Sequence, residues 1–356
     1  MNLPYLQLHY SAKLVRKIDL RYAFILVTLI FFLDFVHCFS RQNVIDSPLL
    51  TQKIGTNHTI IVDVNGKGDF KSIQAAIDRI PNGNSHWIII HIMNGVYREK
   101  VSIPRNKPYI FMRGNGRGRT SIVWSQSSYD NYESATFKVE APHFVAYGIS
   151  FKNIAPTHIA HTSETRSVAA LVGGDKAAFY HCAFFSNYNT LFDYKGRHYY
   201  DNCYIQGSID FIFGHGQAMF HDCELFVITN WKDEIRGSVT AHHRNSHNED
   251  DTGFVFVKGR VYGTRDDVYL GRAKGAHSRV IFANTYLSRT VIPHGWSNSS
   301  YKGSTKNLFQ AEYNCHGPGS GSSNRAPWSK QLRDKEAAPF LSIDFIKGAQ
   351  WLPAWF

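Results

Sequence analysis

Three short phrases in the middle of the chain decide its fold: FYHCAF at 179–184, YYDNCYI at 199–205 and MFHDCEL at 219–225. In each phrase, aromatic and polar residues precede a cysteine, and an apolar segment follows it. The three cysteines follow one another at intervals of 21 and 20 residues. A repeat of this length, built from β-forming segments, is typical of a solenoid, because each coil is too thin to bury its own apolar face and must stack on the next.

The rest of the chain supports the same interpretation. Short β-branched and aromatic segments such as HWIIIHI at 86–92 and GFVFVKG at 253–259 end at Gly, Asn or Asp and have almost no helical periodicity. The pattern predicts an all-β, right-handed parallel β-helix; the alternative is a β-sandwich whose strands are alike by accident. One short helix is expected in GDFKSIQAAIDRI at 68–80, as an N-terminal cap. Its predicted apolar face consists of Phe70, Ile73, Ala76, Ile77 and Ile80.

The charge of the chain favours an acidic polymer as partner. There are 39 lysines and arginines against 28 aspartates and glutamates, a formal net charge of +11. Nucleic acid is the first candidate, but the sequence has no zinc-finger spacing, no aromatic RNA-binding signature and no run of clustered basic residues, so a polyanionic carbohydrate is at least as well supported. A basic surface without a specific partner is the alternative. No CxxC pair suggests a metal, and no metal site is predicted.

The N-terminus predicts export. Four basic residues precede the apolar run 22–36, which has the length of a signal peptide and is short for a membrane span. We therefore assign 1–40 to a signal peptide or signal anchor, 41–58 to a linker and 59–356 to the β-helix domain. Two glycosylation sequons begin at Asn57 and Asn298, which fits a secreted glycoprotein.

Asn189 and Asp210 lie at the same distance in sequence from two of the repeat cysteines. Asn189 lies seven residues after Cys182, and Asp210 lies seven residues after Cys203. In adjacent coils these two side chains are expected about 4.8 Å apart, the spacing of paired strands. The flanking aromatic residues would then line a cleft that binds a sugar chain; the alternative is a structural Asn–Asp pair. These aromatic residues are Tyr188, Phe192, Phe211 and Phe213.

The chain resembles the plant pectin methylesterases, or pectinesterases, from about residue 59 to its C-terminus. The motifs that carry the resemblance are VDVNGKGDFKSIQAAIDRIP (62–81), GVYREKVSIP (95–104), GDKAAFYHCAF (174–184), GRHYYDNCYIQGSIDFIFG (196–214), TAHHR (240–244), YLGR (269–272), APWSKQL (326–332) and FIKGAQWLP (345–353). The resemblance implies a right-handed parallel β-helix and a carboxylic ester hydrolase that demethylesterifies cell-wall homogalacturonan without a cofactor. It also implies the short form without a pro-region, secreted to the cell wall and monomeric, with a proteinaceous inhibitor as a potential partner. With this resemblance, we expect pectin as the partner and no nucleic acid.

The resemblance assigns roles to individual residues. By the family's motifs, Asp210 is the nucleophile that attacks the ester carbonyl, and Arg272 orients its carboxylate. Asn189 occupies the position of the family's general acid and base, which is normally an aspartate. Tyr188 and Arg166 stand where the family has glutamines, and Lys274 replaces a tryptophan that walls the sugar site. We expect substrate binding by Arg166, Tyr188, Phe211 and Lys274.

These departures predict impaired activity. An amide cannot shuttle the proton that a departing methoxide needs, and general acid–base catalysis is typically worth about 10²- to 10⁴-fold. His242, which replaces a glutamine of the family, is a weaker candidate for supplying that proton. The main alternative is a catalytically inactive homologue that binds pectin in the cell wall. A second alternative is a structural or partner-binding wall protein with a vestigial cleft.

Overall fold

A computed structural model describes residues 45–156, 166–228, 237–246, 251–264, 267–299 and 301–355. The predicted signal segment 1–40 lies outside the described residues. Among the described residues, no helix has the length and apolar character needed to cross a membrane. Helix α1 (Ser47–Ile54) lies within 41–58, the segment that the sequence analysis expected to be a linker.

The described chain forms three parallel sheets, which we call A, B and C. Sheet A contains β1 (Thr59–Val62), β2 (Ile88–Ile92), β5 (Ile110–Arg113), β8 (Phe144–Tyr147), β11 (Ala177–Tyr180), β14 (Arg197–Asp201), β17 (Gln217–His221), β20 (Gly253–Val257), β23 (Arg279–Ala283), β26 (Phe309–Tyr313) and β27 (Lys330–Gln331). Sheet B contains β3 (Gly95–Tyr97), β6 (Thr120–Trp124), β9 (Ser150–Asn153), β12 (Ala183–Phe185), β15 (Tyr204–Gly207), β18 (Glu224–Val227), β21 (Arg260–Gly263) and β24 (Tyr286–Leu287). Sheet C contains β4 (Val101–Ile103), β7 (Phe137–Val139), β10 (Ala170–Val172), β13 (Leu191–Asp193), β16 (Ile212–Gly214), β19 (Gly237–His242), β22 (Val268–Arg272) and β25 (Trp296–Ser297).

From β2 to β25 each coil contributes one strand to each sheet in the order A, B, C, so the chain winds into the predicted parallel β-helix. The repeat cysteines occupy equivalent positions, because the residues that follow them, Ala183, Tyr204 and Glu224, pair in register. All three thiols are buried and unpaired, and Cys315 is also a free thiol. The sequence left open whether these cysteines form disulfides. In the structure they do not, and the three repeat cysteines stack as free thiols on successive coils.

The polar residue before each repeat cysteine has a structural role. His181, Asn202 and Asp222 have φ angles of 51°, 49° and 49°, the left-handed conformation that turns the chain from sheet A to sheet B. Inside the coils, aromatic rings stack at the strand spacing, as between Tyr200 and Phe220, whose ring centroids are 4.5 Å apart. The repeated phrases therefore encode a turn followed by a core layer.

The N-terminal cap is helix α2 (Ile73–Arg79). Ser72 caps it by accepting from the backbone N–H of Ala75 at 3.3 Å, and the Glu99 carboxylate accepts from two further backbone N–H groups of its first turn. The predicted helix is thus confirmed, but Phe70 is not on it. Phe70 instead forms a β-bridge with Val62, because the helix begins only after its Ser72 cap.

The other helices lie outside the coils. Helix α3 (Asn131–Ser134) is a single turn with Asp130 as its N-cap, and helix α4 (Asp334–Leu341) packs near β20 and β23 of sheet A. A short 3₁₀ turn at Thr305–Asn307 precedes β26, and two more follow helix α4 at Ile343–Ile346 and Gly348–Gln350. The C-terminal segment thereby covers sheet A, which leaves sheet C to carry the candidate site.

Gly214, the last residue of the IDFIFG segment, provides a test of the coil geometry. Its φ is +132°, and a Cβ at this position would lie 1.9 Å from the backbone oxygen of Asp193. We expect Gly214→Ala to lower the free energy of unfolding by about 3 kcal/mol, from backbone strain and overpacking together. Gly118→Ala is the matched control, since a Cβ there meets nothing within 4 Å. Urea unfolding checks both; equal midpoints for the two variants would contradict the coil geometry.

Candidate active site

The predicted Asn–Asp neighbourhood lies at the start of two adjacent strands of sheet C. Tyr188 bridges to Ile209 and Leu191 pairs with Ile212, so Asn189 and Asp210 occupy equivalent positions on neighbouring coils. Both residues have left-handed backbones, with φ of 55° and 47°. Asn and Asp tolerate this conformation better than other non-glycine residues, and such strained positions cluster at functional sites. The turn therefore interrupts the alternation of the strand and places a carboxylate beside apolar residues.

The Asp210 carboxylate is held by three side chains. Arg272 donates to it twice, from Nε to Oδ1 at 2.6 Å and from an Nη to Oδ2 at 2.6 Å. Ser238 donates a hydroxyl hydrogen bond to Oδ1, and the Lys274 Nζ lies 3.3 Å from Oδ2. Three hydrogen-bond donors and one further cation therefore meet at the two carboxylate oxygens, among the described residues. The contact between Arg272 and Asp210 that the family motifs led us to expect is present.

The local sequence explains why two cations reach one carboxylate. Arg272 is the last residue of β22, and Lys274 follows two positions later. The intervening Ala273 is fully buried, so the alternation of an extended chain turns both long side chains outward. The Lys274 backbone N–H also donates to the carbonyl of His242 at 3.3 Å, which keeps this segment against β19.

The charge state of Asp210 follows from these contacts. Burial alone would raise the pKa of the Asp210 carboxyl, whose side chain is only 8 % exposed. The hydrogen bonds and charge of Arg272, the charge of Lys274 and the Ser238 hydroxyl outweigh burial, so the pKa lies below its ordinary value. Asp210 is therefore ionised at neutral pH, as an attacking carboxylate must be.

An apolar row runs along the outer face of sheet C beside this carboxylate. Leu171, Phe192, Phe213 and Ala241 pair in succession on β10, β13, β16 and β19. The rings of Phe192 and Phe213 are half-buried and stack with centroids 4.5 Å apart. We call these four residues the outer row. Leu171 and Ala241 are buried, so the apolar surface that the row offers consists of the rings of Phe192 and Phe213, on the two strands that begin just after Asn189 and Asp210.

Two cations border the outer row. The Lys138 Nζ lies 5.7 Å from the ring centre of Tyr132, and the Lys195 Nζ lies 5.3 Å from that of Tyr194. The rings of Tyr132 and Tyr194 in turn pack edge-on against each other, with centroids 5.7 Å apart. The apolar surface is thus flanked by positive charge, a combination that suits an anionic ligand with apolar faces.

Two further predicted binding residues lie at the edge of the site. Tyr188 is half-buried next to Asn189. The Arg166 guanidinium donates to the backbone oxygen of Tyr129 at 2.8 Å, and the Arg166 backbone pairs with Ser128. No contact joins Arg166 to Asp210 among the described residues. The structure therefore brings Arg272 and Lys274 to the carboxylate and leaves Arg166 beside Tyr129.

Two predictions for this region are wrong. Phe211 is fully buried in the core, so its ring cannot contact a substrate. His242 is also fully buried, and its Nδ1 accepts from the backbone N–H of Arg279 at 3.2 Å. Burial, with the nearby positive charges, holds the pKa of His242 well below its ordinary value. This imidazole is therefore neutral and remote from solvent, and it cannot supply a proton to a bound ester.

Ser238 is the site residue that sequence reasoning missed. It lies fully buried on β19, 28 positions from Asp210, in a segment without repeat cysteines. Only the register of sheet C, which places β19 between β16 and β22, brings its hydroxyl to the carboxylate. Within the described part of the chain, no group of three or more His, Cys, Asp or Glu side chains has an arrangement that could hold a metal ion.

Comparison with known proteins identifies the family. The family model described as Pectinesterase matches residues 59–349. Probable pectinesterase 67 of Arabidopsis thaliana is 63% identical over 310 residues, which cover 87% of this chain and 90% of that protein. The pectin methylesterase from carrot superimposes with a TM-score of 0.77 at 30% identity, covering 84% of this chain and 95% of that one. This likeness confirms the right-handed parallel β-helix, and the chain belongs to the pectinesterase family.

Proposed function

We propose that the chain hydrolyses methyl esters of partly methylesterified homogalacturonan, the pectin of plant cell walls, with Asp210 as the nucleophile. The observation that carries the proposal is the ion pair between the Asp210 carboxylate and Arg272. The carboxylate is ionised, it is oriented by two hydrogen bonds from Arg272, and it lies just before β16, which carries Phe213 of the outer row. A fixed carboxylate of this kind can attack an ester carbonyl.

The reaction proceeds in two stages. An Asp210 oxygen bonds to the ester carbon, and the tetrahedral intermediate expels methoxide, which leaves an anhydride between Asp210 and the galacturonate. Water then attacks the galacturonate carbonyl and releases both carboxylates. The oxyanion of each intermediate needs donors, and the Asn189 amide and the cation of Lys274 are the nearest candidates. The methoxide needs a proton that the Asn189 amide cannot release, so a low rate is expected unless another group supplies it.

The second candidate function is pectin binding without catalysis. It is favoured by one observation, the engagement of Asp210 by three hydrogen bonds from Arg272 and Ser238 and by the Lys274 ammonium, 3.3 Å from Oδ2. A carboxylate held by two cations and a hydroxyl is a poor nucleophile until one of these partners moves away. Methanol release from methylesterified pectin separates the two functions, because only the first produces methanol that depends on Asp210.

Secretion to the cell wall remains part of the proposal. It is supported by the apolar N-terminal segment and by the family's substrate, which lies in the wall. The sequon asparagine Asn57 is exposed, and so is Asn298. Detection of the glycosylated protein in the wall fraction of plant tissue, and its absence after deletion of 1–40, would support this location.

Pectin binding is expected to depend strongly on salt. The ligand is a polyanion, and Arg272, Lys274, Lys138 and Lys195 border its proposed path in a chain of formal charge +11. We expect the Kd for low-ester homogalacturonan to rise on the order of tenfold or more between low and high ionic strength. Fully methylesterified homogalacturonan is the control, since it is uncharged and should bind with nearly the same Kd at both. Equal salt sensitivity for the two polymers would contradict electrostatic binding.

A further inference from the structure

The proposed reaction has one chemical requirement that the Asn189 amide does not meet. A methoxide leaves an ester readily only when it receives a proton as the bond breaks, and the water that follows must lose one. Asn189, which lies beside Asp210 on the next coil, carries an amide that donates hydrogen bonds but does not release a proton at neutral pH. A second proton carrier near Asp210 is therefore needed if the chain is an esterase.

The contacts of Asp210 single out one candidate. Arg272 carries a guanidinium, which does not act as a proton donor to a substrate in proteins. The Ser238 hydroxyl is fully buried and already donates to Oδ1. Lys274 is different: its Nζ carries transferable protons, lies 3.3 Å from Oδ2 and belongs to a side chain that is 35 % exposed. Of the three side chains on the carboxylate, only Lys274 combines a releasable proton with access to a ligand.

The mobility of Lys274 adds to this argument. Arg272 binds through two parallel hydrogen bonds of 2.6 Å, whereas Lys274 makes a single longer contact from a flexible stem. A substrate must reach an oxygen of Asp210. Of the side chains that contact this carboxylate, Lys274 is the one that moves away most easily. The reacting carbon must approach the carboxylate oxygen to within about 3–3.5 Å, which brings its other oxygens next to the displaced ammonium.

We propose that Lys274 is the proton donor and acceptor of the reaction, in the role for which Asn189 is chemically unsuited. This inference rests on the proposed esterase function with Asp210 as nucleophile. In the first stage the Lys274 ammonium gives its proton to the departing methoxide, which leaves as methanol, and the amine becomes neutral. In the second stage this amine takes a proton from the attacking water, whose oxygen bonds to the galacturonate carbon. The anhydride bond breaks, Asp210 recovers its carboxylate and Lys274 recovers its charge, and the released galacturonic acid loses the second proton of the water to solvent.

Three variants at one position test the proposal, with methanol release and pectin binding measured for each. Lys274→Met removes charge and proton, and Lys274→Arg keeps the charge but cannot release a proton. Lys274→Cys followed by alkylation with 2-bromoethylamine restores an amine of nearly the original length. The matched control is Lys306→Met, which removes an exposed lysine charge elsewhere on the chain.

We expect Lys274→Met and Lys274→Arg to lose about 10²- to 10⁴-fold in kcat, while Lys274→Arg still binds low-ester homogalacturonan like the parent. Alkylation of the cysteine variant should restore turnover, and Lys306→Met should match the parent. Adding Asn189→Asp to Lys274→Met should also raise turnover, because it places a titratable carboxyl beside Asp210. If Lys274 had only a structural role, neither alkylation of the cysteine variant nor the added Asn189→Asp substitution would restore turnover.

Three outcomes would overturn the proposal, and they differ in their meaning. If the parent is active and Lys274→Arg keeps its kcat within a few-fold, the residue acts by charge alone and proton transfer lies elsewhere. If Lys274→Met is faster than the parent, Lys274 restrains the nucleophile instead of assisting it. If the parent releases methanol no faster than Asp210→Ala does, the chain is not an esterase that uses Asp210. The proposed role of Lys274 then fails as well.

Discussion

Arg272→Met is expected both to abolish methanol release and to destabilise the fold. The substitution removes two hydrogen bonds of 2.6 Å from a carboxylate that is only 8 % exposed. Breaking a buried ion pair costs about 3–5 kcal/mol, because the remaining charge is left without its partner. Arg272 is itself 21 % exposed, and Ser238 and Lys274 remain in place, so we expect a loss of about 2–4 kcal/mol in the free energy of unfolding.

The control for this prediction is Arg260→Met. Arg260 forms an ion pair of 3.1 Å with Glu224, but its side chain is 56 % exposed. Such a surface pair contributes about 0–1 kcal/mol, so urea unfolding at neutral pH should separate the two variants clearly. Equal unfolding midpoints, together with normal methanol release from Arg272→Met, would show that Arg272 does not hold Asp210.

The Arg272 effect should also depend on pH, in a direction that the pKa of Asp210 fixes. Because the folded-state pKa of this carboxyl lies below its ordinary value, the ionised form stabilises the fold above the unfolded-state pKa of about 4. That contribution is lost as the pH falls through the folded-state pKa. The difference in unfolding free energy between the parent and Arg272→Met should therefore be largest near neutral pH and should shrink in acid.

Asp210→Asn is expected to reduce methanol release to the background rate, a loss of about 10⁴-fold or more, as for other nucleophiles. The amide keeps the size of the side chain but cannot form the anhydride. Binding of low-ester homogalacturonan should be retained or strengthened, because a negative charge that faces an anionic ligand disappears while Arg272 and Lys274 remain.

The matched control for Asp210→Asn is Asp222→Asn. Asp222 has the same left-handed backbone, with φ of 49° against 47°, but it belongs to the turn between sheets A and B. We expect this variant to keep the parent's kcat. Methanol release from Asp210→Asn at the rate of Asp222→Asn would exclude Asp210 as the nucleophile, and loss of activity in both variants would point to a general effect of amides in these turns.

The fold could be predicted because its signal is local and repeated. Each cysteine phrase carries its own turn residue and core aromatic, so Cys182, Cys203 and Cys223 report the stacking directly. The same repeat gave the register of Asn189 and Asp210, since their equal offsets become equal positions in adjacent coils. The free state of the thiols was not predictable, because stacked cysteines are close enough to bond and sequence spacing does not fix their side-chain directions.

The candidate site was only partly predictable because its contacts cross coils. Ser238 and Asp210 are 28 residues apart, and no local pattern marks the serine. Phe211 was misplaced because the left-handed turn at Asp210 breaks the alternation from which an outward ring was expected. Lys274 was expected to contact substrate, but its ion pair with Asp210 depends on the meeting of β16 with β22 across β19.

A buried polar pair in the core was also not predicted. His198 and Asp193 are both fully buried and lie 2.8 Å apart, and Tyr200 donates to the same carboxylate oxygen at 2.7 Å. Burial lowers the pKa of His198, but the charge of Asp193 and the hydrogen bonds raise it by more than burial lowers it. The pKa of His198 therefore lies above its ordinary value.

The most direct test of the account is the reaction of the purified parent protein with highly methylesterified homogalacturonan, followed at constant pH by alkali uptake and methanol assay together. Ester hydrolysis produces one proton and one methanol for each bond cleaved. The account predicts that both appear in equal amounts, at a rate that saturates with substrate and falls to background in Asp210→Asn. It would be contradicted if the folded, pectin-binding parent released no more methanol or acid than Asp210→Asn, in which case the chain binds pectin without cleaving it.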